Sequence, residues 1–149
     1  MSQSAVGLRR EARRVAMTAV YASDVTGYTI AEVLEMMRDM RADWHTLPEF
    51  AEQLARKVVE HAAVIEEEIA AILQNWKIER VAPVEKALLK LGCAEILFYA
   101  DIPPRVTINE YIEMAKTFAN ENAPAFINGI LDKLVQNQNK ADFHAAKQD

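Results

Sequence analysis

Leu8-Arg9-Arg10-Glu11-Ala12-Arg13-Arg14-Val15-Ala16-Met17-Thr18-Ala19-Val20-Tyr21 is the stretch that decides the fold class. Leu8, Ala12, Val15, Ala16 and Ala19 recur at helical spacing and form one apolar stripe, the mark of a helix with one face toward a core. At 100° per residue, Arg9, Arg10, Arg13 and Arg14 lie within an arc of about 140° on the other side. Met17, Val20 and Tyr21 continue that side one to two turns further on. The rest of the chain has the same helical character. Its 149 residues include 24 Ala but only four Gly and five Pro, a composition that favours helix because Ala loses no side-chain entropy there and breakers are scarce. No long stretch alternates apolar and polar residues, and the one Asn-Gly pair, Asn128-Gly129, falls inside a helical pattern. The chain reads as all-α.

Helix starts are visible along the chain. Thr29-Ile30-Ala31-Glu32, Thr46-Leu47-Pro48-Glu49 and Thr107-Ile108-Asn109-Glu110 each have the form of a capping box, in which Thr and Glu satisfy each other's backbone amides. Tyr28 with Val33, and Val106 with Tyr111, are placed to act as hydrophobic staples. Asn122, two residues before Pro124, reads as a cap, and Ala82-Pro83 as a helix start with a poor cap. Helices are expected near 8–23, 29–41, 47–75, 83–100, 107–119 and 123–137. The 47–75 segment is long enough to be two helices meeting near 60–64, which would make seven. Asp101-Ile102-Pro103-Pro104 is expected to be a rigid, extended connector. Residues 1–137 are read as one domain and 138–149 as a polar, flexible tail.

Charge is distributed unevenly. The whole chain carries −5, yet residues 1–14 hold four Arg against one Glu, leaving 13 basic and 21 acidic side chains in the remainder. A basic segment on an acidic body points to a local anion-binding surface rather than a general affinity for polyanions. Four guanidiniums on adjacent turns repel one another near the positive end of the helix dipole, and a phosphate backbone would relieve both penalties. A solvated face balanced by acidic neighbours is the competing reading. The single cysteine, Cys93, excludes an internal disulfide and fits a reducing, cytoplasmic compartment. No apolar run approaches the length of a membrane span, and no signal-peptide core follows the basic start.

Catalytic signatures are absent from the sequence. His45, His61 and His144 are dispersed, there is no Cys pair, and neither a glycine-rich phosphate loop nor a Gly-x-Ser-x-Gly elbow occurs. No metal, cofactor or catalytic residue is therefore expected. Cys93 is read as a small core residue, and Glu66-Glu67-Glu68 as a solvated run. Gly92 and Gly129 stand in helical patterns, for which close helix approach is the expected compensation. Phe126 follows the polar turn Asn120-Glu121-Asn122 and is either a core aromatic or a platform on which a base stacks.

Together these segments resemble the NusB family of transcription antitermination factors. The matching residues are Arg9-Arg10-Glu11-Ala12-Arg13 leading to Ala19-Val20-Tyr21, then Val81-Ala82-Pro83-Val84-Glu85-Lys86-Ala87-Leu88-Leu89 to Ala94-Glu95-Ile96-Leu97. The C-terminal match joins Asp101-Ile102-Pro103-Pro104, Val106-Thr107-Ile108-Asn109-Glu110, Ala115-Lys116-Thr117-Phe118 and Phe126-Ile127-Asn128-Gly129-Ile130-Leu131-Asp132-Lys133. The resemblance implies seven helices in two small sub-bundles and a non-enzymatic role. It implies binding, with NusE (a ribosomal small-subunit protein), to the single-stranded boxA element of nascent RNA. On elongating RNA polymerase with other Nus factors, such proteins suppress premature termination, notably in ribosomal RNA operons. By the same resemblance Arg9, Arg10, Arg13, Arg14 and Phe126 contact RNA, while Tyr21 and Glu85 contact NusE.

The likeness has departures. Glu121-Asn122-Ala123-Pro124-Ala125-Phe126 replaces the Glu-Asp-Ser-x-Lys-Phe of many relatives, removing one carboxylate and one Lys. Arg14 stands where relatives often have an acidic residue. Two other readings fit a helical protein of this kind: an accessory domain like that of RNA cytosine methyltransferases, or a scaffold whose arginines meet acidic protein surfaces. A homodimer burying the arginine face would be autoinhibitory.

Overall fold

The computed structural model describes residues 5–40, 48–74 and 77–148, with side chains described from 7 through 139. Among the described residues seven α-helices follow one another: α1 (Ala5–Thr26), α2 (Ile30–Met40), α3 (Glu49–Glu60), α4 (Ala62–Leu73), α5 (Pro83–Phe98), α6 (Pro104–Phe118) and α7 (Ala123–Gln148). A single 3-10 turn, Ile78–Arg80, precedes α5, and no strand forms among the described residues. α1 packs against α2 and α3, while α6 and α7 pack against each other. α5 touches α1, α3, α4, α6 and α7 and so joins the two groups. Its sequence explains that position. Ala87, Leu88, Leu89, Leu91, Gly92, Cys93, Ala94 and Glu95 are all buried, and a helix that is apolar nearly all round belongs in the middle of a fold.

The 47–75 segment does divide, at His61, whose φ of −117° breaks the helical path between α3 and α4. The box at the start of α2 forms in full. The Glu32 amide donates to Thr29 Oγ1 at 3.1 Å and the Thr29 amide to Glu32 Oε1 at 3.4 Å. Gly27, at φ +82°, stops α1, with its amide donating to the Ser23 carbonyl. Pro83 opens α5 behind an Ala82 that makes no side-chain cap, as its composition requires.

Several expectations give way. The box around Thr107 does not form, because α6 already begins at Pro104 and Thr107 is a buried residue within it. Pro at the first helical position makes an earlier start cheaper than a cap three residues on. The Val106–Tyr111 staple goes with it, since Tyr111 points into the core. The connector expected to be extended over Asp101–Pro104 is so only at Pro103, at φ −60° and ψ 133°. Before it Tyr99–Ile102 form a tight turn, with the Ile102 amide donating to the Tyr99 carbonyl, and Pro104 already opens α6. The box at Thr46 lies outside the described residues. The last helix, expected over 123–137, runs on to Gln148, a stretch that holds three Ala and neither Gly nor Pro. Gly92 does permit a close approach: an added Cβ would stand 2.9 Å from Leu131 Cδ1. Gly129 faces open space, so close packing does not account for it.

Candidate nucleic-acid interface

The arginine helix is more deeply embedded than its apolar stripe suggests. Ala12, Arg13, Val15, Ala16, Met17, Ala19 and Val20 are all buried, an arc of roughly 200° at 100° per residue, because α1 meets α2, α3 and α5 together. Leu8, read as core, is 54% exposed, since it lies a turn before that contact begins. Arg13 falls inside the buried arc. It is 2% exposed, so it does not share the open face expected for all four arginines.

Arg13 has a partner in the core. Its Nη2 donates to Glu95 Oε1 at 2.8 Å and its Nε to Oε2 at 2.9 Å. Thr107 Oγ1 donates to Oε1 at 3.2 Å, and the Tyr111 hydroxyl donates to Oε2. One carboxylate from α5 thus holds α1 and α6. Burial disfavours the Arg13 charge, but hydrogen bonding to Glu95 and its charge outweigh this and raise the pKa above its ordinary value. Burial, followed by the charge of Glu95, pushes the Tyr111 hydroxyl well above the usual tyrosine range. Sequence reasoning missed this network. Its signal was a lone carboxylate, Glu95, in the apolar run Leu91–Leu97; helical angle alone does not single out Arg13, since Arg9 lies nearer the angles of Ala16 and Val20.

The other three arginines are not equivalent. Arg10 remains 58% exposed while its Nε donates to both oxygens of Glu110 on α6, at 3.1 Å each. Arg9 is half-buried, with its guanidinium carbon 4.6 Å from the centroid of Phe50. Arg14 is exposed and makes no ion pair among the described residues; its guanidinium stands 5.9 Å from the Phe118 ring centroid. Arg10 and Arg14 share a polar cleft with Glu110, Glu113, Met114 and Thr117. The cationic surface is therefore an outward stripe of Arg10 and Arg14, with Arg9 beside it.

Phe126 is half-buried, its ring packed against the core, so a core aromatic describes it better than an open platform. Tyr21 is 38% exposed on α1. Glu85, on the first turn of α5, accepts from Asn120 Nδ2 at 3.1 Å. Lys86 beside it pairs with Asp24 of α1 at 3.3 Å, whereas Glu85 itself meets the α6–α7 turn.

The family model described as NusB matches residues 10–136, most of this helical assembly. The chain belongs to the NusB family. The matched span contains Arg10, Arg13, Arg14, Glu95 and Phe126 and leaves out Arg9. The transcription antitermination protein NusB of Desulfitobacterium hafniense is 42% identical over 138 residues, 90% of this chain and 92% of that protein. That of Geobacter sulfurreducens is 41% identical over 131 residues, 87% and 95% of the two chains. Among solved structures, NusB of T. maritima superposes with a TM-score of 0.79 at 31% identity, covering 91% of this chain and 93% of that one. A chain from a crystal of NusB and NusE in complex with double-stranded RNA superposes with a TM-score of 0.75 at 26% identity, over 87% and 97%. Among the described residues no helix is long and apolar enough to cross a membrane.

Proposed function

We propose that this chain is a non-catalytic, RNA-binding transcription antitermination factor. With NusE it binds boxA RNA and, on elongating RNA polymerase with other Nus factors, suppresses premature termination, especially in ribosomal RNA operons. The observation that carries this reading is the outward pair Arg10 and Arg14 on a helix of a NusB fold, the same fold seen in the NusB–NusE–RNA crystal. Exposed guanidiniums on successive turns suit consecutive phosphates. Arg9, Arg10 and Arg14 take phosphates in this proposal, and Phe126, half-buried near the start of α7, contributes a base contact. Tyr21 of α1 and Glu85 of α5 meet NusE, and Arg13 holds α1 in place from within. RNA sequence is read on unpaired nucleotides, which suits a short linear element.

The ion pairs of Arg10 and Arg13 favour one competitor, a scaffold whose arginines meet only carboxylates. A gel shift with a short boxA RNA separates the two, with NusE added in one arm and the RNA scrambled in another. The expected result is weak binding by the chain alone, tighter binding with NusE, and loss on scrambling. Equal retention of both RNAs, or partner binding with no RNA dependence, would overturn the proposal.

A further inference from the structure

Phe118, the last residue of α6, is 42% exposed and has the Arg14 guanidinium over its ring. It forms one wall of a groove of about 710 Å³ between α1 and α2, whose other walls include Val15, Tyr28, Met36 and Met37. That volume falls within the roughly 300–1,000 Å³ typical of small-ligand sites. Arg14 borders both this groove and the polar cleft that holds Arg10. Phosphate and apolar surface therefore have adjoining places, which is how charge and base alternate along a nucleotide strand. Glu11 also lines the groove and would repel a phosphate there, so an uncharged base fits its interior better.

We propose that Phe118 is the stacking platform for one unpaired base of the bound RNA, with Arg14 holding the phosphate beside it. This rests on the RNA-binding reading above and adds a site to it. Bases stack on aromatic faces whatever their identity; with Arg14 over one face of the ring, the base takes the other, and the guanidinium adds its own attraction. Phe126 is less suited to the task because its ring is committed to the core.

The test uses the full chain with NusE and a short single-stranded boxA RNA. Phe118→Leu should weaken RNA binding roughly tenfold, about one base stack, at every salt concentration, leaving the slope of log affinity against log salt unchanged. Phe118→Trp should restore binding, which separates lost stacking from lost folding. Arg14→Gln should flatten the slope by roughly 0.7, the share of one phosphate on a single strand. Replacing each nucleotide in turn with an abasic one should reveal a single position whose loss is not additive with Phe118→Leu. Full affinity in Phe118→Leu, additive losses at every position, or weaker NusE binding without RNA would overturn the platform. Failure of the unsubstituted chain to bind RNA would instead remove the reading beneath it.

Discussion

The Arg13 guanidinium lies against the Glu95 carboxylate in the core, Nη2 to Oε1 at 2.8 Å and Nε to Oε2 at 2.9 Å, with both side chains nearly inaccessible to water. An arginine on the basic N-terminal helix is thereby part of what holds the fold. Thr107 and Tyr111 occupy further lone pairs of the same carboxylate, so the buried charge is well satisfied. Removing one partner strands the other in low dielectric, at a typical cost of about 3–5 kcal/mol. Arg13→Met and Glu95→Gln should each lower unfolding free energy by an amount of that order. The double variant Arg13→Met/Glu95→Gln should lose less than the sum of the two single changes. Urea denaturation checks this; single variants within about 0.5 kcal/mol of the parent would show that the pair contributes little.

Binding should divide the arginines in a different way. Arg10 and Arg14 are exposed, so replacing both with Gln should flatten the salt dependence of RNA binding by roughly 0.7 for each phosphate no longer held, with only the small loss of stability expected from breaking the Arg10–Glu110 pair. Arg13 belongs to the opposite class, and its replacement should move stability first. A salt slope unchanged in Arg10→Gln/Arg14→Gln, measured with NusE present, would rule out the outward stripe as the phosphate site.

How far these features were legible in the sequence follows from where the information lies. The seven-helix count, the break at His61 and the box at Thr29 are local, set by caps, breakers and apolar spacing within a turn or two. The four arginines were legible as a group, but not their separation into buried and exposed. That depends on how many neighbours α1 acquires, a property of α3 and α5 rather than of α1. The Thr107 box misled for a related reason. Thr107 had a distant partner in Glu95, and Pro104 started the helix one turn sooner. Phe118 and Phe126 look alike in sequence. Only the packing of α6 and α7 shows that the first is open and the second half-covered.

Cys93 is fully buried on α5, and burial, followed by the charge of Glu68, raises its thiol from the ordinary 9.0 to about 12. The native chain should therefore show no thiol reactive toward a disulfide reagent at pH 8, and one such thiol after denaturation. The pH dependence follows from the same shift. The folded state keeps the proton that the unfolded chain releases above about pH 9, so stability present below pH 9 falls as pH rises toward 12. Tyr111 adds a loss of the same sign above the usual tyrosine range. Cys93→Ala should make the decline of unfolding free energy between pH 9 and 11 shallower, whatever its effect at neutral pH. An unaltered slope would show that the thiol is not protected in the fold.

Gly129 and Gly92 should respond oppositely to one extra methyl group. At Gly129 the added carbon meets nothing within 4 Å, and the position lies inside α7 on an exposed face. Alanine there removes the entropic penalty of glycine without crowding any neighbour, so Gly129→Ala should raise unfolding free energy by about 1 kcal/mol. At Gly92 the same change gains that propensity but places a Cβ 2.9 Å from Leu131 Cδ1 and 3.0 Å from Cδ2. Leu131 is itself fully buried, so its side chain has little room to turn away, and overpacking of this kind costs about 1–3 kcal/mol. Gly92→Ala should be destabilising on balance, and Gly92→Ala with Leu131→Val should recover part of the loss by making room for the new methyl. Parallel denaturation curves of the three variants check this. A stabilised Gly92→Ala would mean that α5 and α7 separate more readily than their packing indicates.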